Sequence, residues 1–219
     1  MTNATASLGA TLEIHVEVRG RVISEFSYQH LRAAVTFRDH LIRVENANEG
    51  KEFGEFFSDI RSYGSACIMS SAAAIEALVN ELFITPGWPL RERLPDFEAA
   101  FWGKGGIERK SPSEKYQVAL QLLGLPKFDE RVGIFRDLWA LIELRNALVH
   151  YKPTWDPDRR RQVELKDVLS GKYEASRFVD EGADFVTMKS MSGSAMLWVT
   201  SVVFGFIRDF HRRTQFAEK

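Results

Sequence analysis

Residues 56–83 limit most strongly what this chain can fold into. Ile60, Gly64, Cys67, Ser71, Ala74, Ile75, Leu78 and Leu82 recur along one side at helical spacing. Gly64, Ser65, Ala66 and the run 70–74 keep that stretch unusually small. So little side-chain bulk lets another helix approach to the ~8 Å end of the usual interaxial range. The stretch therefore predicts one long helix in close helix–helix packing.

Further helical segments surround it. Residues 24–45 place Phe26, Leu31, Val35, Leu41 and Ile42 at helical spacing, and 46–54 break the pattern with Asn, Gly and charge. Pro86, Gly87, Pro89 and Pro95 make 85–95 a loop, and a short helix follows at 97–102. Ser111-Pro112-Ser113-Glu114 has the form of a capping box, and its helix stops at Gly124 and Pro126. Residues 129–151 form another helix, halted before Pro153. The last covers 192–214, with Ala195, Val199, Val202, Val203, Phe206 and Phe210 on its apolar face. Arg208, Arg212 and Arg213 crowd its end, where cations suit the helix dipole.

Strand character is confined to the start. Residues 1–10 read as a disordered tail. In 11–23, Leu12, Ile14, Val16 and Val18 alternate with polar residues, as in a half-buried strand. Such a strand needs a pairing partner. One candidate is an arm of 177–188, where 181–184 looks like a turn between two apolar runs. The same strand in a second copy is the other. Residues 152–190 read as an irregular insertion before the last helix, with one or two helical turns at 163–169. Together these segments predict a mainly α, single-domain chain over 1–219: an antiparallel four- to five-helix bundle with a minor N-terminal β-strand or hairpin.

Composition narrows the function. A net charge of −1 provides no global basic field, so any RNA contact must be local. The single cysteine, Cys67, rules out an internal disulfide and a cysteine zinc cluster, and fits a reducing, cytoplasmic setting. The first residues resemble no signal peptide, and we find no unbroken apolar run of about 18 residues, so no membrane contact is expected. His15, His30, His40 and His211 have no ligand spacing, and Gly103-Lys104-Gly105-Gly106 lacks the spacing of a phosphate loop. Neither a metal nor another cofactor is expected.

The stretch 141–153 sets pattern against charge. Leu141, Ile142, Leu148 and Val149 fall within about 80° of Leu138 on a helical wheel, and Arg145 falls about 20° from it. A guanidinium keeps its proton, so one within an apolar stripe must be paired or face a ligand. Asn146 and His150 lie one turn apart on a flank of the stripe. An imidazole can take a proton from a 2′-hydroxyl or give one to a leaving oxygen. An arginine can stabilise charge building on phosphorus. The pair thus suits phosphodiester chemistry on RNA, with no metal needed. In an ideal helix, however, Arg145 and His150 point about 140° apart. Two copies related by a two-fold axis would build one cleft from both.

Arg145-Asn146-Ala147-Leu148-Val149-His150 resembles the Arg-polar-x-x-x-His signature of the HEPN superfamily of helical-bundle proteins. Residues 70–82, with their Ala-Ile-Glu-Ala-Leu-Val-Asn run, look like that family's earlier helix, and the entry to the last helix at 191–195 is also similar. The resemblance covers about 56–151 and 190–215. It implies a HEPN-like bundle and a homodimeric, metal-independent endoribonuclease, often a toxin paired with an antitoxin protein. By position it implies Arg145 and His150 as catalytic and Asn146 as supporting. Some toxins of the family have a tyrosine two residues after the histidine. Here Tyr151 follows directly and Lys152 holds that place, unlike the subgroup paired with a nucleotidyltransferase antitoxin.

Tyr151, Lys152, Glu76 and Asn80 are candidate substrate-binding residues, the last two if they face the dimer cleft. Each also has a plainer reading. Arg145 could form a salt bridge to a neighbouring helix, for instance to Glu76. His150 could bond last-turn carbonyls, and Glu76 and Asn80 could be solvated surface. Trp88, Trp102 and Trp155 could stack bases, or simply plug the ends of the core. Arg159, Arg160 and Arg161 could meet RNA phosphates or only water. An alternative to the enzyme is a non-catalytic dimeric module binding nucleotide, RNA or a protein partner. A transcription regulator would need a basic recognition helix, and none is present.

Overall fold

The computed structural model describes residues 25–151 and 160–215. The expected tail at 1–10 and strand at 11–23 lie outside these, as do Lys152, Trp155 and Arg159. The described residues are mainly helical and contain no strand.

The first helix, α1 (Ser27–Ala47), and the second, α2 (Phe56–Ile84), form an antiparallel pair. At one end Glu81 accepts the Phe26 and Ser27 N–H groups at 2.6 and 2.8 Å, which caps α1 from across the pair. Further along, the His40 and Tyr63 rings stack 5.3 Å apart. A Cβ on Gly64 would stand 3.2 Å from Leu41 Cδ1 and 2.7 Å from Met191 Sδ. The small residues of α2 therefore do what their size suggests and set a close helix spacing.

Short helices α3 (Pro89–Glu92) and α4 (Phe97–Trp102) follow. The next, α5 (Pro112–Leu122), opens with both halves of the capping box formed at Ser111 and Glu114. Gly124 then takes a φ of 71°, the left-handed conformation that ends a helix. Further along lie α6 (Gly133–Val149), α7 (Arg160–Leu169) and α8 (Gly193–Thr214). Within the expected insertion at 152–190, the described residues 160–169 form a regular helix. Leu165 and Leu169 of α7 are buried, and Glu164 accepts from Arg136 of α6 at 2.9 Å.

The expected hairpin over 177–188 is not formed. The chain does turn there, the Ala183 N–H donating to the Asp180 carbonyl at 3.0 Å. Asp184 then accepts from the Thr187 N–H and hydroxyl at 2.6 and 2.8 Å and caps a π-helical turn, Phe185–Lys189. A side chain that captures backbone donors in this way leaves fewer of them for a ladder.

α2 lies at the centre, touching α1, α3, α5, α6 and α8. By length and composition it would suffice to cross a membrane, and half of its most apolar window is buried among these helices. Tyr116 of α5 pins α2 to α8. It is fully buried, its hydroxyl donates to the Ile75 carbonyl at 3.0 Å, and its ring meets Phe206 and Phe210 edge-on.

Candidate functional site

α6 buries Phe135, Leu138, Leu141, Ile142 and Leu144, then rises out of the core towards its end. Val149 is half-exposed, and His150 and Tyr151 are exposed. Arg145 sits where the helix emerges, so it is half-buried rather than sealed in. Its Nη2 lies 3.5 Å from Glu76 Oε2 on α2, with side-chain exposures of 25% and 43%. That distance is long for a charge-assisted hydrogen bond, and pairs this accessible contribute only about 0–1 kcal/mol.

Asn146 does not orient the histidine. Its Nδ2 reaches back to Glu143 Oε1 at 3.5 Å, and only its backbone carbonyl accepts the His150 N–H, at 2.9 Å. His150 is the C-cap of α6 (φ −101°, ψ 28°). Among the described residues its ring has no hydrogen bond or ion pair, so the plainer reading as a capper of last-turn carbonyls is not met. The helix stays α-helical to Val149. Arg145 and His150 of one chain therefore keep the divergence expected of an ideal helix.

Glu76 and Asn80 are half-buried and engaged rather than solvated. Asn80 Oδ1 accepts from Lys115 Nζ at 2.9 Å. Lys115 is 2% exposed, and sequence reasoning overlooked it. The available signal was its position on the apolar face of α5, beside Tyr116 and one turn before Ala119. Burial lowers its pKa, while the Glu76 and Glu108 carboxylates push it back up. Glu76 thus stands between two cations. It contacts Arg145 and offsets the charge of Lys115.

Tyr151, the next residue after His150, is exposed, and Lys152 lies outside the described residues. Trp88 packs against the core, whereas Trp102 is half-exposed with its ring edge-on to Phe101. No group of three metal-binding side chains occurs among the described residues. Two open cavities lie elsewhere. One of about 830 Å³ is lined by Phe53, Arg177, Phe178 and Asp180 among others, and one of about 510 Å³ lies between the start of α6 and the end of α8.

No family model, no curated protein and no solved structure matches the chain. The resemblance to the HEPN superfamily is thus a reading of the sequence motifs alone.

Proposed function

We propose that the C-terminal end of α6 is a metal-independent RNA-cleaving site of HEPN type, completed when two copies of the chain pair across it. The observation that carries this reading is the His150 ring, exposed and without a partner among the described residues, five residues beyond an arginine whose ion pair among those residues is a long one. Val149 and Tyr151 flank it with exposed apolar surface of the kind a partner copy covers.

The chemistry needs nothing beyond the side chains and the RNA. One His150 takes the proton of a 2′-hydroxyl as that oxygen bonds to phosphorus. The P–O5′ bond breaks, and the partner's His150 gives a proton to the leaving 5′-oxygen. The products are a 2′,3′-cyclic phosphate and a 5′-hydroxyl end. Arg145 leaves Glu76 and forks onto the phosphoryl oxygens as charge builds there. Glu76 then keeps Lys115 as its counter-charge. Asn146 and Tyr151 line the approach of the strand, and Lys152 is the next cation in the sequence. A toxin role, with an antitoxin as partner in the cytoplasm, extends the same reading.

Arg145→Ala and His150→Ala should each lower cleavage of RNA in EDTA by about 100-fold or more, with the oligomer unchanged on a sizing column. Cleavage that survives both substitutions, or that requires Mg²⁺, overturns the proposal. The Arg145–Glu76 contact favours a second reading, in which the same residues brace a non-catalytic dimeric module. In that case no RNA is cut, and the substitutions disturb assembly instead.

A further inference from the structure

At the opposite end of α6 from His150 the chain builds a second basic site. α6 starts at Gly133, whose φ is 65°, after Val132, which offers no side-chain cap; its first turn holds no acidic residue. The first N–H groups of this helix therefore have no carboxylate or hydroxyl from their own turn. Ile134 rests on Gly205 of α8, where a Cβ would stand 3.2 Å from Ile134 Cδ1. The glycine brings the start of α6 close to the end of α8. Between them opens the cavity of about 510 Å³, lined by Ile134, Gly205, Arg208, Asp209, Arg212 and Arg213.

The three guanidiniums are held in different ways. Arg213 Nε donates to Asp209 Oδ2 at 2.9 Å, and its guanidinium lies 4.4 Å from the Phe128 ring centroid, so it is fixed from two sides. Arg212 Nη2 also donates to Asp209, yet its side chain is 77% exposed. Arg208, one turn before Arg212, is exposed and makes no hydrogen bond or ion pair among the described residues. Burial pushes the Asp209 carboxyl up, and the hydrogen bonds from Arg213 and Arg212 more than reverse this, so it remains charged. Three cations face one carboxylate. Helix-dipole complementarity accounts for Arg212 and Arg213 in the last turn of α8. It does not account for Arg208 further back, nor for a cavity opening against the start of another helix.

We infer that this cavity binds a phosphate group, with Arg208 and Arg212 forking onto its oxygens while Arg213 and Asp209 hold the second fork in place. Guanidinium forks match phosphoryl oxygens in both spacing and charge. The volume is in the range of sites for small ligands. The site lies roughly 24 Å from His150 along α6, so it does not depend on the ribonuclease reading. Its phosphate belongs to a free phosphate compound or to the backbone of an RNA strand.

Titration calorimetry with inorganic pyrophosphate and anisotropy with a labelled single-stranded RNA of about 12 nucleotides, both at low salt, separate these sources. The wild-type chain should bind at least one of the two saturably. Arg208→Gln with Arg212→Gln should weaken that binding at least 10-fold, while Arg61→Gln on an exposed turn of α2 should not. Loss for pyrophosphate assigns a free phosphate compound, and loss for RNA alone assigns the strand. The unfolding midpoint should stay within a degree or so, since both arginines are exposed. Arg145→Ala and His150→Ala should leave pyrophosphate binding intact, which keeps this site's failure separate from that of the cleavage site. Binding by the double variant equal to wild type overturns the inference. So does an equal loss with Arg61→Gln, or no saturable binding of either probe.

Discussion

Glu45 acts on a helix other than its own. Its Oε2 accepts the Gly193 N–H at 2.9 Å at the start of α8, and a Cβ on residue 193 would come within 2.5 Å of that oxygen. A side chain at 193 would push this carboxylate away from the N–H. Burial raises the Glu45 pKa, and the Gly193 N–H and the Arg177 charge offset this only in part. The folded state thus holds this proton more tightly than the unfolded one, and stability falls as pH rises through the carboxylate range. Glu45→Gln keeps an acceptor for Gly193 and removes the buried charge. It should raise the denaturation midpoint near pH 7, with the gain vanishing near pH 4. An unchanged or lower midpoint at pH 7 would contradict this. Arg145 was legible in sequence, including its plainer partner Glu76, because a charge in an apolar stripe stands out in one dimension. Lys115 was not, because its burial comes from α2 lying across it, and one lysine on a short helix carries no such contrast.

At the scale of elements, local chemistry was readable where it is self-contained. The capping box is such a case. Ser111 donates to Glu114 Oε2 through its hydroxyl at 2.6 Å and through its N–H at 2.9 Å, and its Oγ accepts the Glu114 N–H at 3.3 Å. These bonds hold the Glu114 carboxyl below its ordinary value. Their stabilisation is therefore present above the usual carboxylate pKa and fades as pH falls through the lowered one. Ser111→Ala should cost about 1 kcal/mol near neutral pH and less in acid, measured by chemical denaturation at both. A deficit that is equal at both would place the effect elsewhere. The failed expectation at 177–188 has a different origin. Two short apolar runs and a turn signal were present, but the Asp184 side chain bonded to Thr187 and redirected the backbone into a π-turn. Sequence periodicity carries no information on that competition.

For the whole molecule, helical order and the close packing of 56–83 followed from size and spacing along the chain, whereas its central place and the pairing of helix ends depended on contacts between residues far apart in sequence, such as Phe26 with Glu81. The proposed dimer is decided at this scale too. Val149 is 49% exposed, so Val149→Asp should hardly change the thermal midpoint of the chain. It should convert the dimer to monomer in sedimentation and abolish cleavage with it. A dimer that persists would place the two-fold axis elsewhere. The aromatic seat of α8 bears on synthesis of the chain. Tyr116, Phe128 and Phe135 all precede α8, and Phe206 is the ring that closes over them. A nascent chain that pauses before residue 193 presents three uncovered rings to solvent. Until α8 emerges and docks, that uncovered seat is a site for aggregation, and a ribosome-bound intermediate should recruit a chaperone there.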